Sequence, residues 1–225
     1  MPLGCMGVIR IGSIKNCFQV VGRASQSFIE IRSRWPLIIV AGVVGLLIAV
    51  VFPLIHAGRF GSGTDRADAY IVGLKAILNG SYPYYAHTPQ GHKLTPMPGA
   101  FLLALVFYLM GNVSLQNIVW IFVFAWFLSQ YYRSTIASLL YFVAYIMFST
   151  VSIQDLITGG DYLVNIIYVA ITFYWVALVH QQQESKLKRL AVAIIYAIAL
   201  CSRTIFVLAT LPVISAFVLL PTRKH

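Results

Sequence analysis

Acidic residues are scarce in this chain: six Asp and Glu stand against sixteen Lys and Arg in 225 residues, a net charge of +10. Charged residues of both signs make up only 10% and apolar ones 60%, with a mean hydropathy of +0.83. A soluble domain carries roughly 25% charged residues, so the shortage excludes an ordinary water-soluble fold and implies a polytopic membrane protein. The positive excess does not form one dense patch. It sits at the ends of apolar runs, as membrane topology requires and nucleic-acid binding does not. Cysteine is equally sparse: Cys5, Cys17 and Cys201 show no metal spacing and no even disulfide set. The stretch Pro2–Cys5 reads PLGC, but no apolar segment precedes it, which argues against a lipoprotein leader. There is no fixed-period repeat and no low-complexity tract.

What is abundant is apolar sequence in long runs. Residues 1–36 form a basic arm (Arg10, Lys15, Arg23, Arg32, Arg34) ahead of the run Pro36–Ile55, which is too long for a signal-peptide core and reads as an uncleaved span. The positive-inside rule places the arm in the cytoplasm and the polar segment that follows outside. Met97–Met110 is apolar for only fourteen residues, short of the roughly twenty a span needs, and reads as re-entrant. Val113–Tyr132, Ser134–Ser152 and Leu163–His180 then read as spans, and Leu190–Leu220 as a further segment interrupted at Cys201–Thr204. With the re-entrant segment uncounted, the short basic loops, including KLKR at 186–189, all fall inside.

The expected architecture is therefore all-α: a polytopic helical membrane domain over 37–225 with about six transmembrane helices and both termini cytoplasmic. A first external loop covers 56–112, with an interfacial helix at 65–79 and a re-entrant piece at 97–111. A second external loop covers 153–162.

Two of the six acids lie three positions apart in GSGTDRADAY, at the edge of the first apolar run. From Asp65 the sequence has helical periodicity. Ala67, Tyr70, Ile71, Leu74, Ile77 and Leu78 share one face, Asp65, Asp68, Lys75 and Asn79 the other, and Gly80 terminates it. Acids near a helix amino terminus favour its dipole, which is the purely structural account of Asp65 and Asp68. Yet the glycines ahead of Thr64 permit a sharp turn, and the second external loop brings Asp155 and Asp161. Carboxylates converging from two loops suit a general base or a divalent-ion site. Arg203 lies inside a long apolar segment, where an ionisable side chain is costly and reads as functional. At a membrane surface, a carboxylate base with a cation suits transfer from a lipid-phosphate donor to an acceptor hydroxyl.

The run DRADAYIVGLKAILNGSYPYYAHTPQGHKLTPMPGAFLLALVFYLMG resembles the first external loop of GT-C superfamily glycosyltransferases, in particular bacterial polyprenyl-phosphate-mannose-dependent mannosyltransferases. The shared features are Asp65, Gly80, the YPYY element at Tyr82–Tyr85 and TPMPG at Thr95–Gly99; GGDY at Gly159–Tyr162 and ALCSRT at Ala199–Thr204 match more loosely. The resemblance implies a multi-pass enzyme of the bacterial plasma membrane that moves a sugar, with mannose the first candidate, from a polyprenyl-phosphate donor to a glycan or lipid acceptor on the outer face, with inversion. It implies Asp65 as catalytic base, with Asp68, Tyr84, Tyr85, Asp161 and Arg203 supporting or binding donor and acceptor. Membrane lipids are the expected surroundings, nucleic acid is not a partner, and no cofactor is required beyond an optional divalent cation on Asp65 and Asp161.

Two departures qualify the likeness. Arg66 follows Asp65 where some relatives carry a second acid, and such enzymes continue for several more spans, so the chain is expected to be either an amino-terminal portion, in which case it is inactive alone, or a reduced member. His87 and His92 have no metal spacing and read as surface or substrate-contacting residues. Tyr82, Tyr84 and Tyr85 equally suit anchoring at the membrane interface. The sequons at Asn79 and Asn112 are matches expected by chance. The competing expectation is a non-enzymatic membrane protein, a transporter of an anionic substrate or an assembly subunit, for which a buried Arg203 beside a broken helix is also apt.

Overall fold

The computed structural model describes residues 34–59, 64–132, 134–147, 149–182 and 184–211. Most of the amino-terminal arm, the glycines at 61 and 63 and the carboxyl-terminal PTRKH lie outside the described residues.

The described residues form helices and no strand, apart from one isolated antiparallel bridge between His87 and Lys93. Helix α1 spans Trp35–His56, with Pro36 in its first turn, where a missing N–H costs nothing. Leu37, Ala41, Gly45 and Ile48 recur every three to four residues on its buried face, while Ile39, Val43, Leu46 and Val50 remain exposed. A helix that leaves large aliphatic residues uncovered along its length is suited to lipid. Helix α2 (Arg66–Leu78) and α3 (Pro98–Leu109) pack together through Tyr70, Leu74, Leu94 and Phe101. Helix α4 (Leu115–Tyr132) packs on α1. Helices α5 (Thr135–Met147) and α6 (Thr150–Thr158) follow, and α7 (Tyr162–Gln181) and α8 (Lys186–Leu200) form a hairpin before a 3₁₀ turn at Thr204–Ala209.

Helices α1 and α7 are long and apolar enough to cross a membrane, with mean hydropathies of 3.0 and 2.0; α5 and α6 add a third if that bent pair is one span. This all-helical architecture with two or three membrane-length helices is coarser than the expected six spans, for physical reasons. Helix α4 carries Gln116 and Asn117 in its first turn and ends in SQYY, which dilutes its apolar content. The stretch expected as one span at Ser134–Ser152 is bent by 77° between α5 and α6, where Ser149 accepts a hydrogen bond from Ser152 N at 3.2 Å and starts a new helix. Most of the expected second external loop is helical as a result, since α6 runs to Thr158 and leaves only Gly159–Asp161 between helices. The KLKR sequence, expected as loop, forms the first turn of α8.

Several helix positions agree with those read from the sequence. The short apolar segment is a twelve-residue helix, the loop helix starts one residue after Asp65, and α8 ends at Leu200, immediately before CSRT. The apolar face of α2 is divided: Ala67, Tyr70 and Leu74 are buried within the protein, whereas Ile71, Ile77 and Leu78 are exposed.

Gly99 joins the short helix to the broken one. Its N–H donates to Cys201 O at 3.0 Å, and a Cβ there would come within 2.8 Å of that carbonyl oxygen, so a side chain would hold α3 away from the break after α8. Met97 N adds a contact to Ser202 O at 3.4 Å. The residue after Ser202 is Arg203, in extended backbone (φ −149°, ψ 140°), and it turns back into the protein.

Candidate functional site

A cleft of about 270 Å³ opens where the first loop, the 159–161 turn and the break after α8 meet. Asp65, Thr88 and His92 line one side, Asp161, Tyr162 and Arg203 another, with Arg66 and Lys93 also exposed to it.

Asp65 occupies the position before α2 but makes no side-chain cap to the helix. Its Oδ2 instead accepts from Thr88 Oγ1 and lies 2.9 Å from His92 Nδ1. Both partners come from one tight turn, in which Thr88 N donates to His92 O at 2.9 Å and His92 N to Thr88 Oγ1 at 3.0 Å. Partial burial pushes the Asp65 carboxyl up, but the hydrogen bonds from Thr88 and His92 and the imidazole charge outweigh it and hold Asp65 below its ordinary value. Asp65 is thus an ionised carboxylate at the mouth of the cleft, with a largely exposed histidine against it.

Asp161 also stands before a helix, α7, without capping it, but is only 4% exposed. Its Oδ2 accepts from Tyr70 OH and Asn165 Nδ2, each at 2.5 Å, and from Arg203 Nε at 3.0 Å; its Oδ1 accepts from Arg203 Nη2. This two-pronged guanidinium pair is the strongest ionic geometry a side chain offers. Arg203 is 9% exposed, reaches Thr95 O at 3.4 Å through Nη1 and sits 4.4 Å from the centroid of the Tyr162 ring.

A third pair fastens the two loops. Arg66 Nη1 donates to Asp155 Oδ1 at 3.0 Å, and Asp155 Oδ2 accepts from Leu163 N at 2.9 Å. The turn between them requires Gly159 (φ 72°) and Gly160, where a Cβ would strike the Asp155 carboxylate. Thr64 Oγ1 donates to Thr158 O at 3.1 Å across the same seam, and Asn117 Nδ2 to Gly160 O at 3.1 Å.

The structure therefore brings together Asp65, Asp161 and Arg203, with Arg66 and His92 beside them, and not Asp68, Tyr84 or Tyr85. Asp68 faces the end of α1, 3.9 Å from His56 Nε2. Tyr84 donates to Pro96 O at 2.9 Å and leans on Phe101, and Tyr85 is exposed; neither lines the cleft. Both oxygens of Asp161 are engaged, by Arg203, Tyr70 and Asn165. Among the described residues no group of three or more His, Cys, Asp or Glu could hold a metal ion.

Sequence reasoning passed over Thr88, Arg66, Tyr70 and Asn165, and left His92 without a partner. Asn165 had a usable signal, a polar side chain four residues after Asp161 in an otherwise apolar helix. Arg66 was legible only as a missing acid.

These features define a class: an all-helical chain with two or three membrane-length helices and a charged cleft beside them. Compared with protein-family models, curated proteins and solved structures, the chain matches no family model, no curated protein and no solved structure.

Proposed function

We propose that this chain is a GT-C-like membrane glycosyltransferase, moving a sugar, with mannose the first candidate, from a polyprenyl-phosphate donor to a glycan or lipid acceptor at the outer face of a bacterial plasma membrane. The observation that carries this reading is the ionised Asp65, held by Thr88 and His92 at the mouth of a cleft shared with Arg66 and Lys93. Asp65 removes the proton from the acceptor hydroxyl as that oxygen bonds to the anomeric carbon. The bond from that carbon to the donor phosphate oxygen breaks, and the polyprenyl phosphate leaves as an anion. A single displacement of this kind inverts the anomeric centre.

Lys93, and Arg66 through the guanidinium nitrogens not on Asp155, are better placed to meet the departing phosphate than the buried Arg203, whose Nε, Nη1 and Nη2 are all engaged. Arg203 and Asp161 shape the floor of the cleft. Six spans with both termini inside accompany this reading, with α3 as the re-entrant piece. The optional divalent cation of the resemblance has no step assigned to it.

The buried Arg203–Asp161 pair favours a second reading, a transporter of an anionic substrate, because ion pairs within membranes mark transport paths. One experiment separates the two. Membranes containing the wild-type chain or Asp65→Asn are supplied with labelled polyprenyl-phosphate mannose and total membrane glycolipid, with and without EDTA. Transfer by the wild type and its loss in the variant support the transferase. Transfer that continues unchanged in Asp65→Asn removes Asp65 from the mechanism and sinks the reading.

A further inference from the structure

Away from the cleft, the turn end of the α7–α8 hairpin encloses a cavity of about 430 Å³. Its walls are largely aliphatic, with Val176 and Val179 from α7 and Leu190 and Ala193 from α8, and His180, Lys186 and Arg189 also line it. Lys186, Arg189, Leu190 and Ala193 are spaced 0, 3, 4 and 7 along the helix, so both cations and the apolar wall share one face.

Among the described residues no carboxylate compensates these two charges. Glu184 is the only acid in the sequence after Asp161, and it pairs with Lys188 at 3.1 Å. Among the described residues neither Lys186 nor Arg189 has a carboxylate partner. Both also lie in the first turn of α8, where the helix dipole is positive and a cation is unfavourable. An anion at the mouth would relieve both repulsions at once. Aliphatic walls beside it, continuous with the membrane-length α7, have no use for a small hydrated anion but suit an acyl chain.

We propose that this cavity binds an anionic glycerophospholipid, its phosphate between Lys186 and Arg189 and one acyl chain along Val176, Val179 and Leu190. The site is independent of the cleft at Asp65 and of whatever reaction occurs there. A zwitterionic lipid carries a compensating ammonium and gains less from the two cations. Basic residues near a membrane surface each attract an anionic lipid by an amount worth roughly a fivefold change in association.

The test is to reconstitute the full chain in vesicles and measure the motionally restricted fraction of spin-labelled phosphatidylglycerol and of spin-labelled phosphatidylcholine by electron spin resonance. The expected result is preference for phosphatidylglycerol in the wild type. It falls by at least about fivefold in Lys186→Gln/Arg189→Gln, and survives in Lys186→Arg/Arg189→Lys and in Lys188→Gln. Equal association of the two lipids with the wild type overturns the proposal, as does undiminished preference in the double Gln variant. Displacement of the lipid by millimolar inorganic phosphate also overturns it, since the ligand would then be the free anion. The charge-keeping variant separates loss of charge from loss of fold.

Discussion

Asp65 and Asp161 are the same residue in the same local position, each immediately before a helix that it does not cap, yet they hold opposite places in the cleft. Asp161 is buried against a guanidinium, a phenol and an amide, with both oxygens engaged. Asp65 is met on one oxygen by a hydroxyl and an imidazole from a surface turn, and its histidine is open to solvent. A carboxylate saturated by a buried arginine is a structural anchor, because removing it would leave that cation buried without a partner. A carboxylate at the mouth of a cleft, kept ionised by exchangeable partners, can take a proton and return it. Environment, not residue type, divides the two roles.

The sharpest way to break this contrast is to remove each acid and ask which property fails. Asp65→Asn is expected to lower sugar transfer by about 10²- to 10⁴-fold, the span of a general base, while leaving thermal unfolding in detergent almost unchanged. Asp161→Ala is expected to cost about 3–5 kcal/mol of stability, because Arg203 stays buried without its partner. The double variant Asp161→Ala/Arg203→Met should unfold later than Asp161→Ala alone, and a chemical-denaturation cycle reads the coupling directly. If Asp161→Ala unfolds like the wild type, the contrast fails.

Tyr70→Phe should cost about 1.5–3 kcal/mol, the range of a hydrogen bond to a charged group, read by the same denaturation. The smallest effect is on pH. Asp65 is held below its ordinary value, so the stability it contributes is present above the unfolded carboxylate range and is lost as pH falls through its folded value. Thr88→Val removes one of the bonds that lower it, so the acid limb of the transfer profile should move to higher pH, with little change in rate at neutral pH. A limb that stays in place would detach Thr88 from Asp65.

Much of the fold was legible because it rests on periodicity and length. Helix α1, the loop helix after Asp65, the short apolar α3 and the break at CSRT all follow from apolar spacing and local punctuation. The division of Ser134–Ser152 was not, because its apolar content is continuous and only Ser149 signals a new helix start. In the cleft, Asp65, Asp161 and Arg203 stood out as rare charges in an apolar chain. Their partners did not, because Thr88 and Tyr70 are brought in over separations of 23 and 91 positions, and a threonine in a polar loop carries no mark. The helical wheel set Asp65 and Asp68 side by side on a wet face, whereas contacts send one to the cleft and the other to His56.

The distance along the chain between Asp161 and Arg203 has a consequence for biogenesis. The pair is separated by 42 positions, and Arg66 and Asp155 by 89, so each acid and its arginine are made at different moments of synthesis. When α7 has been made, Asp161 has Asn165 and Tyr70 within reach but not yet Arg203. Only after α8 has followed, and the chain has turned back at Cys201, does the arginine arrive to neutralise it. Of the residues that line the cleft beside Asp65, Arg203 is thus the last to be made, and a nascent chain halted before it would hold Asp65 over an unfinished floor.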